Sequence, residues 1–271
     1  MSAALAVFRR YVNDFVNRQD FSVLPRIMQP DYTLATSGLE ICGRDGPYRA
    51  AVARQMEQFP GLLFTVHKLF VQGNAIGIHF TEHGASRHHD GASASWPSIA
   101  IYELRDGLLA RCDIEQDYHS RRRQLAERVP IAVPPPAIAP WDEAELERDV
   151  EGEEMLRRWL QQGDWLENGS VDVDDSAAMG AIEPVLGRGR IELLKLLSGR
   201  TAGGASHFAF HASASGPLAP EFAAATGARA GSDATLALSG LVTFRDGKVS
   251  EGNILRDRWG LFRRLAKQAS R

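Results

Sequence analysis

The chain has 271 residues, 44% of them apolar, a formal charge of −3 and two cysteines. That length fits two domains that each bury a core, and the near-neutral balance excludes the clustered Lys and Arg excess of a nucleic-acid binder. Two cysteines, Cys42 and Cys112, suit a reducing cytoplasm better than a secreted scaffold and leave room for one disulfide at most, and no apolar run approaches the about 20 residues of a membrane-spanning helix. Ala3 to Val7 is also too short for a signal-peptide core, so the expectation is a cytoplasmic protein with no membrane or nucleic-acid partner.

Phe8, Tyr11, Val12, Phe15 and Val16 recur at helical spacing and predict an amphipathic first helix. Val23, Leu24, Ile27 and Met28 predict a short second helix stopped by Pro30, followed by an extended piece at Asp31–Leu34. Tyr48, Ala51, Val52, Gln55, Met56 and Phe59 form one face of a third helix, ended by Pro60-Gly61. The pattern then changes to alternation, with strands expected at Leu63–Val71, Ala75–His83, Ser98–Leu104 and Leu108–Tyr118, the last two joined by Arg105-Asp106-Gly107. Helices followed by antiparallel strands predict an α+β domain with the helices on one face of the sheet.

Residues 129–150 carry five prolines and then an acidic run, the composition of a stiff linker. It separates an expected first domain, 1–128, from a second, 151–271. The halves are related: Tyr102–Leu125 and Val242–Leu265, 140 positions apart, share Arg105/Arg245, Asp106/Asp246, Gly107/Gly247, Ile114/Ile254, Asp117/Asp257, Arg123/Arg263 and Leu125/Leu265. A period that long marks duplicated domains rather than a solenoid, whose repeats run about 20–50 residues. In the second half, Met155, Leu156, Trp159 and Leu160 answer the first helix, and Ile191, Leu194 and Leu197 predict a third helix entered from Gly187-Arg188-Gly189-Arg190. His207–Ser215, Leu236–Phe244 and Lys248–Trp259 read as strands, with a variable segment at Pro217–Gly231.

Parity along the strands picks out the candidate chemistry. His79, Thr81 and His83 share one face of their strand, as do His211, Ser213 and Ser215 on its copy. Two readings stay open: a polar face looking into a pocket, where histidine moves protons near neutrality, or a solvent or interface face. Asp113, Glu115 and Asp117 share a face of the last strand, and enclosure there would raise a carboxylate pKa. Asp117 and Asp257 persist in both copies, as acid/base groups or as caps of the closing helix. Tyr32, Tyr48, Trp96 and Trp259 are candidates to stack on a flat ligand, with core packing as the alternative. The arginines at 121–123 and Arg256, Arg258, Arg263 and Arg264 read as solvated faces, with an anionic ligand as the alternative. His79 and His83 lie about 13 Å apart on a strand, too far for one ion, so no metal is expected; without a phosphate loop or a nucleophile elbow, no cofactor is expected either.

Three helices, a sheet of about four strands and the closing Asp257-Arg258-Trp259-Gly260-Leu261-Phe262-Arg263-Arg264-Leu265 resemble the SnoaL-like polyketide cyclases of the nuclear transport factor 2 superfamily. The resemblance covers both halves and implies two tandem conical half-barrels, each with three helices packed on a curved, mostly antiparallel sheet. It implies that Asp117 and Asp257 act as acid/base groups and that His83-Gly84 lines the first cone; strand parity and aromatic character add His79 as a proton-transfer partner and Tyr32, Trp96, His211 and Trp259 as ligand contacts. The second half has Ser215-Gly216 where the first has His83-Gly84, which favours the first half for catalysis. The implied activity is cofactor-free acid/base chemistry of cyclase, isomerase or dehydratase type on a small hydrophobic carbonyl compound. The alternative is a non-catalytic ligand-binding or scaffolding module. Epoxide hydrolysis through Asp113, Arg111 and Asp117 is a third reading. Members usually pair through the outer sheet face, so the tandem implies an intrachain pseudo-dimer, with further homodimerisation open.

Overall fold

The computed structural model describes residues 2–36, 38–166 and 169–270. Helix α1, Ala3–Arg10, starts where the Ser2 hydroxyl accepts from Leu5 N (3.2 Å) and runs on as a π-helical Tyr11–Val16. A 3₁₀ turn, Phe21–Arg26, leads into β1, Met28–Thr36, and β2, Leu39–Cys42. A π turn at Arg44–Tyr48 opens α2, Arg49–Gln58. Then come β3, Leu63–Gln72, β4, Ala75–Ser86, β5, Ala92–Arg105, β6, Leu108–Gln116, and the closing α3, Tyr118–Glu127. The strands form one curved sheet ordered β2-β1-β6-β5-β4-β3, antiparallel except for β1 beside β6.

The second half contains α4, Val150–Gln162, β7, Val171–Val173, α5, Ser176–Met179, β8, Arg190–Arg200, and β9, Ser206–Pro217. It closes with α6, Pro220–Thr226, β10, Asp233–Arg245, β11, Lys248–Arg256, and α7, Arg258–Ala269. Its sheet is ordered β7-β11-β10-β9-β8 and repeats the parallel pairing at β7 and β11. The architecture is therefore α+β with two tandem cones. Among the described residues, no helix is long and apolar enough to cross a membrane.

Both Asp-Gly hairpins form as two-residue turns with left-handed residues, Asp106 (φ 51°) and Gly107 (φ 73°) in one copy, Asp246 (φ 50°) and Gly247 (φ 75°) in the other. Positive φ at both positions is what a type I′ turn requires, and Asp and Gly tolerate it best.

The expected third helix of the second half is instead strand β8. A bulge at Leu194, between the pairs Leu193–Ala212 and Lys195–His211, shifts the alternation by one residue. Ile191 therefore faces the domain core, Leu194 faces outward and Leu197 joins the contact between the sheets. Their three-residue spacing imitates a helix face while pointing at three environments. The Pro217–Gly231 segment in turn holds α6, whose Phe222 and Ala223 pack with Leu261 and Leu265. The real second-half counterpart of α2 is the single turn α5.

The core of the first cone lies between its helices and the inner sheet face, where Phe8, Tyr11 and Phe15 meet Phe64, Phe80, Ala100, Tyr102 and Ile114. Each such side chain, fully buried, contributes about 1.5–3 kcal/mol. The outer faces of the two sheets pack on one another through Phe70, Ile99, Ile101, Leu197, Ala209, Leu241 and Leu255. Gly77 permits this approach, because a Cβ there would stand 2.6 Å from Ala209 Cβ. The proline-rich segment is an edge strap: Ala137 N bonds Val66 O (2.8 Å) and Leu146 N bonds Val71 O (2.8 Å), after which Arg200 N bonds Glu147 O (2.9 Å). It thus covers edge strands of both sheets, which would otherwise expose unpaired backbone groups.

Candidate functional site

The polar face of β4 does not look into the first cone. His79, Thr81 and His83 point outward, where His67 Nε2 meets Thr81 Oγ1 (2.8 Å), His83 Nε2 meets Thr65 Oγ1 (3.0 Å) and His67 Nδ1 donates to Pro135 O of the strap (2.9 Å). The aromatic side, with Ile78 and Phe80, takes the interior because it removes far more apolar area from water. Burial beneath the strap pushes His79 down to about 3, with His67 and Lys68 adding like charge. His211 occupies the equivalent outer face in the second half, its Nε2 on Asp113 O (2.7 Å) and its Nδ1 on Ser239 Oγ (2.9 Å).

Asp117 and Asp257 are helix N-caps. Asp117 Oδ1 accepts from Ser120 N (3.0 Å) and Asp257 Oδ1 from Gly260 N (2.7 Å), so both copies use the aspartate to start the closing helix. Asp257→Ala should cost about 1 kcal/mol and Asp257→Asn much less, as read by urea unfolding. Asp117 has a second role. Both its oxygens bind Arg258 Nη2 (2.9 and 2.8 Å), and the same nitrogen reaches Asp175 Oδ1 (3.0 Å) while Nη1 reaches Glu183 (2.9 Å). Arg256 holds Asp174 (2.7 Å) and Arg123 holds Asp175 (2.6 Å). The expected solvated arginines Arg256 and Arg258 are thus 4% and 2% exposed, because the buried carboxylates of Asp117, Asp174 and Asp175 require them, with the half-exposed Glu183 at the rim. Burial first, and then neighbouring Asp174 and Asp175, push Asp117 up to about 7 against the pull of Arg258.

Trp259 packs at the contact of α3 and α7, stacked on Phe262 (5.4 Å between centroids) and under the Arg122 guanidinium (3.9 Å). Tyr32 is fully buried inside the first cone with its ring edge on Tyr48 (4.8 Å). Trp96 is also inside, and it marks a residue that parity alone passed over: Glu82, which continues the apolar face of Ile76, Ile78 and Phe80. Its Oε2 accepts from Trp96 Nε1 (2.9 Å), Gln55 Nε2 (2.9 Å) and Gln116 Nε2 (2.7 Å). Burial raises its pKa while those three donors oppose the shift. Arg121 lies over Trp96 (4.9 Å) and Tyr118 (4.3 Å) and closes this end of the cone.

The duplication shows what the second cone lacks. Glu82 pairs across the strands with Trp96 in the first half, and Ala214 pairs with Leu236 at the equivalent point of the second. Arg256 stands where the first half has Gln116. With smaller side chains at Ala214 and Leu236, and with only the single turn α5 replacing α2, the second cone keeps a cavity of about 180 Å³ lined by Leu160, Trp165, Leu186, Ile191, Leu236 and Arg256, among others. Trp165 is 5% exposed, yet its indole Nε1 has no hydrogen-bond partner among the described residues. A buried N–H without an acceptor costs about 1–3 kcal/mol. Trp165 answers Phe21 of the first half, so the sequence signal was an aromatic exchanged for one that carries a donor.

Residues 8–112 match the family model of the SnoaL-like domain, so the first domain is a SnoaL-like domain. Among solved structures, a SnoaL-like protein of Jannaschia sp. CCS1 is 21% identical with a TM-score of 0.41, over 49% of this chain and 94% of that one. TsrD of Streptomyces laurentii is 25% identical with a TM-score of 0.41, over 45% of this chain and 94% of that one. An LEH-like epoxide hydrolase of Mycobacterium tuberculosis is 16% identical with a TM-score of 0.39, over 47% of this chain and 87% of that one. The comparison with curated proteins finds no match.

Proposed function

We propose that the second cone binds a small, mainly apolar molecule carrying one carbonyl or ether oxygen, and that the first cone, filled by its own side chains, is the scaffold. The observation that carries this is the unpartnered Trp165 indole N–H at a cavity whose wall sets Leu160, Ile191 and Leu236 beside Gln161, Arg190 and Arg256: an oxygen acceptor on the ligand would satisfy it. The described lining includes no carboxylate, histidine, cysteine or tyrosine, which supports binding over proton transfer. The packed outer sheet faces support an intrachain pseudo-dimer, with a single chain as the expected solution species.

Acid/base turnover of such a molecule, of cyclase, isomerase or dehydratase type, is the second reading, and the buried Glu82 favours it. Substrate would have to pass Arg121 to reach that carboxylate. The test is titration with 1-tetralone, a bicyclic ketone, followed by the indole N–H signals in NMR. One signal, assigned by Trp165→Phe, should shift, and Leu236→Trp should weaken binding at least tenfold by filling the cavity. Tetralin, lacking the oxygen, should bind more weakly by the about 0.5–1.5 kcal/mol of a hydrogen bond. If Leu236→Trp binds like the native chain while Glu82→Gln abolishes binding, the ligand belongs to the first cone and the acid/base reading leads.

A further inference from the structure

The two domains leave an open cleft of about 740 Å³ between the β1–β2 hairpin and β6 of the first and β8, β9 and β10 of the second. That volume is within the about 300–1,000 Å³ typical of small-molecule sites, which favour domain interfaces. Leu39 and Leu194, one from each domain, are 62% and 63% exposed and both line it, with Leu238 on the same wall. Exposed apolar side chains are common singly, but two contributed by different domains to one concavity form the kind of patch that marks a ligand groove.

Leu194 is the bulge residue of β8, and a bulge is a common device for re-aiming one side chain. The first half carries the same bulge at His67, between the pairs Val66–Phe80 and Lys68–His79. There the proline-rich strap covers it, through Pro135 O on His67 Nδ1 (2.9 Å) and Ala137 N on Val66 O (2.8 Å). In the second half the equivalent place is open and leucine replaces histidine.

The polar groups of the cleft are nearly all committed. Arg111 binds Asp113 (3.0 Å) and Glu40 (2.9 Å), and Lys195 binds Glu103 (3.0 Å) and Asp113. Both His211 nitrogens are engaged, and Glu115 is buried and itself engaged. Arg264 is only partly engaged: it is 46% exposed, its Nη2 donates to Thr235 O (3.0 Å), and its carboxylate neighbour Asp257, at 3.6 Å from Nη1, already caps α7. The cleft thus offers an apolar wall ending at a weakly compensated guanidinium.

We propose that this cleft binds an amphipathic carboxylate, its hydrocarbon body between Leu39 and Leu194 and its carboxylate on Arg264. The proposal is independent of the cone ligand. A carboxylate on a guanidinium forms two parallel charge-assisted bonds, whereas an alcohol cannot, so the headgroup should be discriminated.

The test is calorimetric titration of the full chain with decanoate and with decanol. Decanoate should bind at one saturable site and more tightly than decanol. Leu194→Asp should abolish that site, and Arg264→Gln should weaken decanoate at least tenfold and remove its advantage over decanol. Both positions are open to solvent, so neither change threatens folding. No saturable binding, or binding indifferent to both substitutions, overturns the proposal. Decanoate binding lost in Leu236→Trp but kept in Leu194→Asp would place the ligand in the second cone and equally overturn it.

Discussion

Arg258→Gln should cost about 3–5 kcal/mol of folding stability, the cost of removing one partner from a buried ion pair. The measurement is the urea midpoint of the full chain with its slope. The guanidinium is 2% exposed and touches Asp117 and Asp175 through one nitrogen and Glu183 through another. Without it those carboxylates and Asp174 keep only Arg256 and Arg123, each already bound to one of them. Because Asp117 belongs to the first domain and Arg258 to the second, the loss should fall on the junction between domains. Hydrogen exchange should accelerate in α3 and α7 before it does in the sheets. A change within about 0.5 kcal/mol would mean that water or a rearranged side chain replaces the arginine, and that the cluster is not dry.

The same cluster sets a pH dependence. Four carboxylates face three guanidiniums, with His119 3.7 Å from Glu183, so one negative charge is in excess near neutrality. That excess falls on Asp117, raised from 3.8 to about 7. A carboxyl with a raised folded pKa gives stability that is complete below its ordinary value and lost as pH climbs through the folded one. Asp117→Asn keeps the cap and stays neutral. Its stability relative to the native chain should therefore rise between about pH 4 and 7 and then level off, by at most about 4 kcal/mol at 1.36 kcal/mol per pKa unit. A flat difference curve would show that Asp117 is ionised in the fold.

Much of this fold was legible because its signals are local. The Asp-Gly turns need positive φ wherever they occur, and the amphipathic first helix needs only its own spacing. What the residues cannot carry locally is direction. Alternation put His79, Thr81 and His83 on one face and Ile76, Ile78 and Phe80 on the other, but not which face is inward. Once the aromatic side is inward, Glu82 follows as the interior carboxylate of the first cone. The bulge at Leu194 defeated the spacing argument for a different reason, since one inserted residue turns a strand's period of two into an apparent helix period. Arg256 and Arg258 were unreadable as buried because their partners come from 174–183 and from Asp117, up to 141 positions away. Trp165 needed the cavity to be known before its free indole meant anything.

On the acid side the buried histidines should dominate, and His79→Leu should flatten the fall. His79 is lowered to about 3 and His211 to about 4, burial being the first cause for both. A base held neutral in the fold gives stability that is complete above its ordinary value near 6.5 and lost as pH falls toward the folded one, because the unfolded chain takes protons the fold refuses. Each should contribute a slope of about 1.4 kcal/mol per pH unit below about 6.5, opposite in sign to that of Asp117. Stability should accordingly peak near pH 6.5–7. For His79 the charged group across the strands is Lys68, and its ring neighbour is His67, 5.2 Å away, so protonation there meets like charge. His211 has a carboxylate neighbour in Asp113, which moderates its shift. His79→Leu should thus reduce the slope between about pH 4 and 3, where the folded chain protonates His211 but not yet His79, more than His211→Asn does. Equal reductions would mean that the strap above His79 opens to water before the chain unfolds, a result that strap-backbone exchange at Ala137 would register directly.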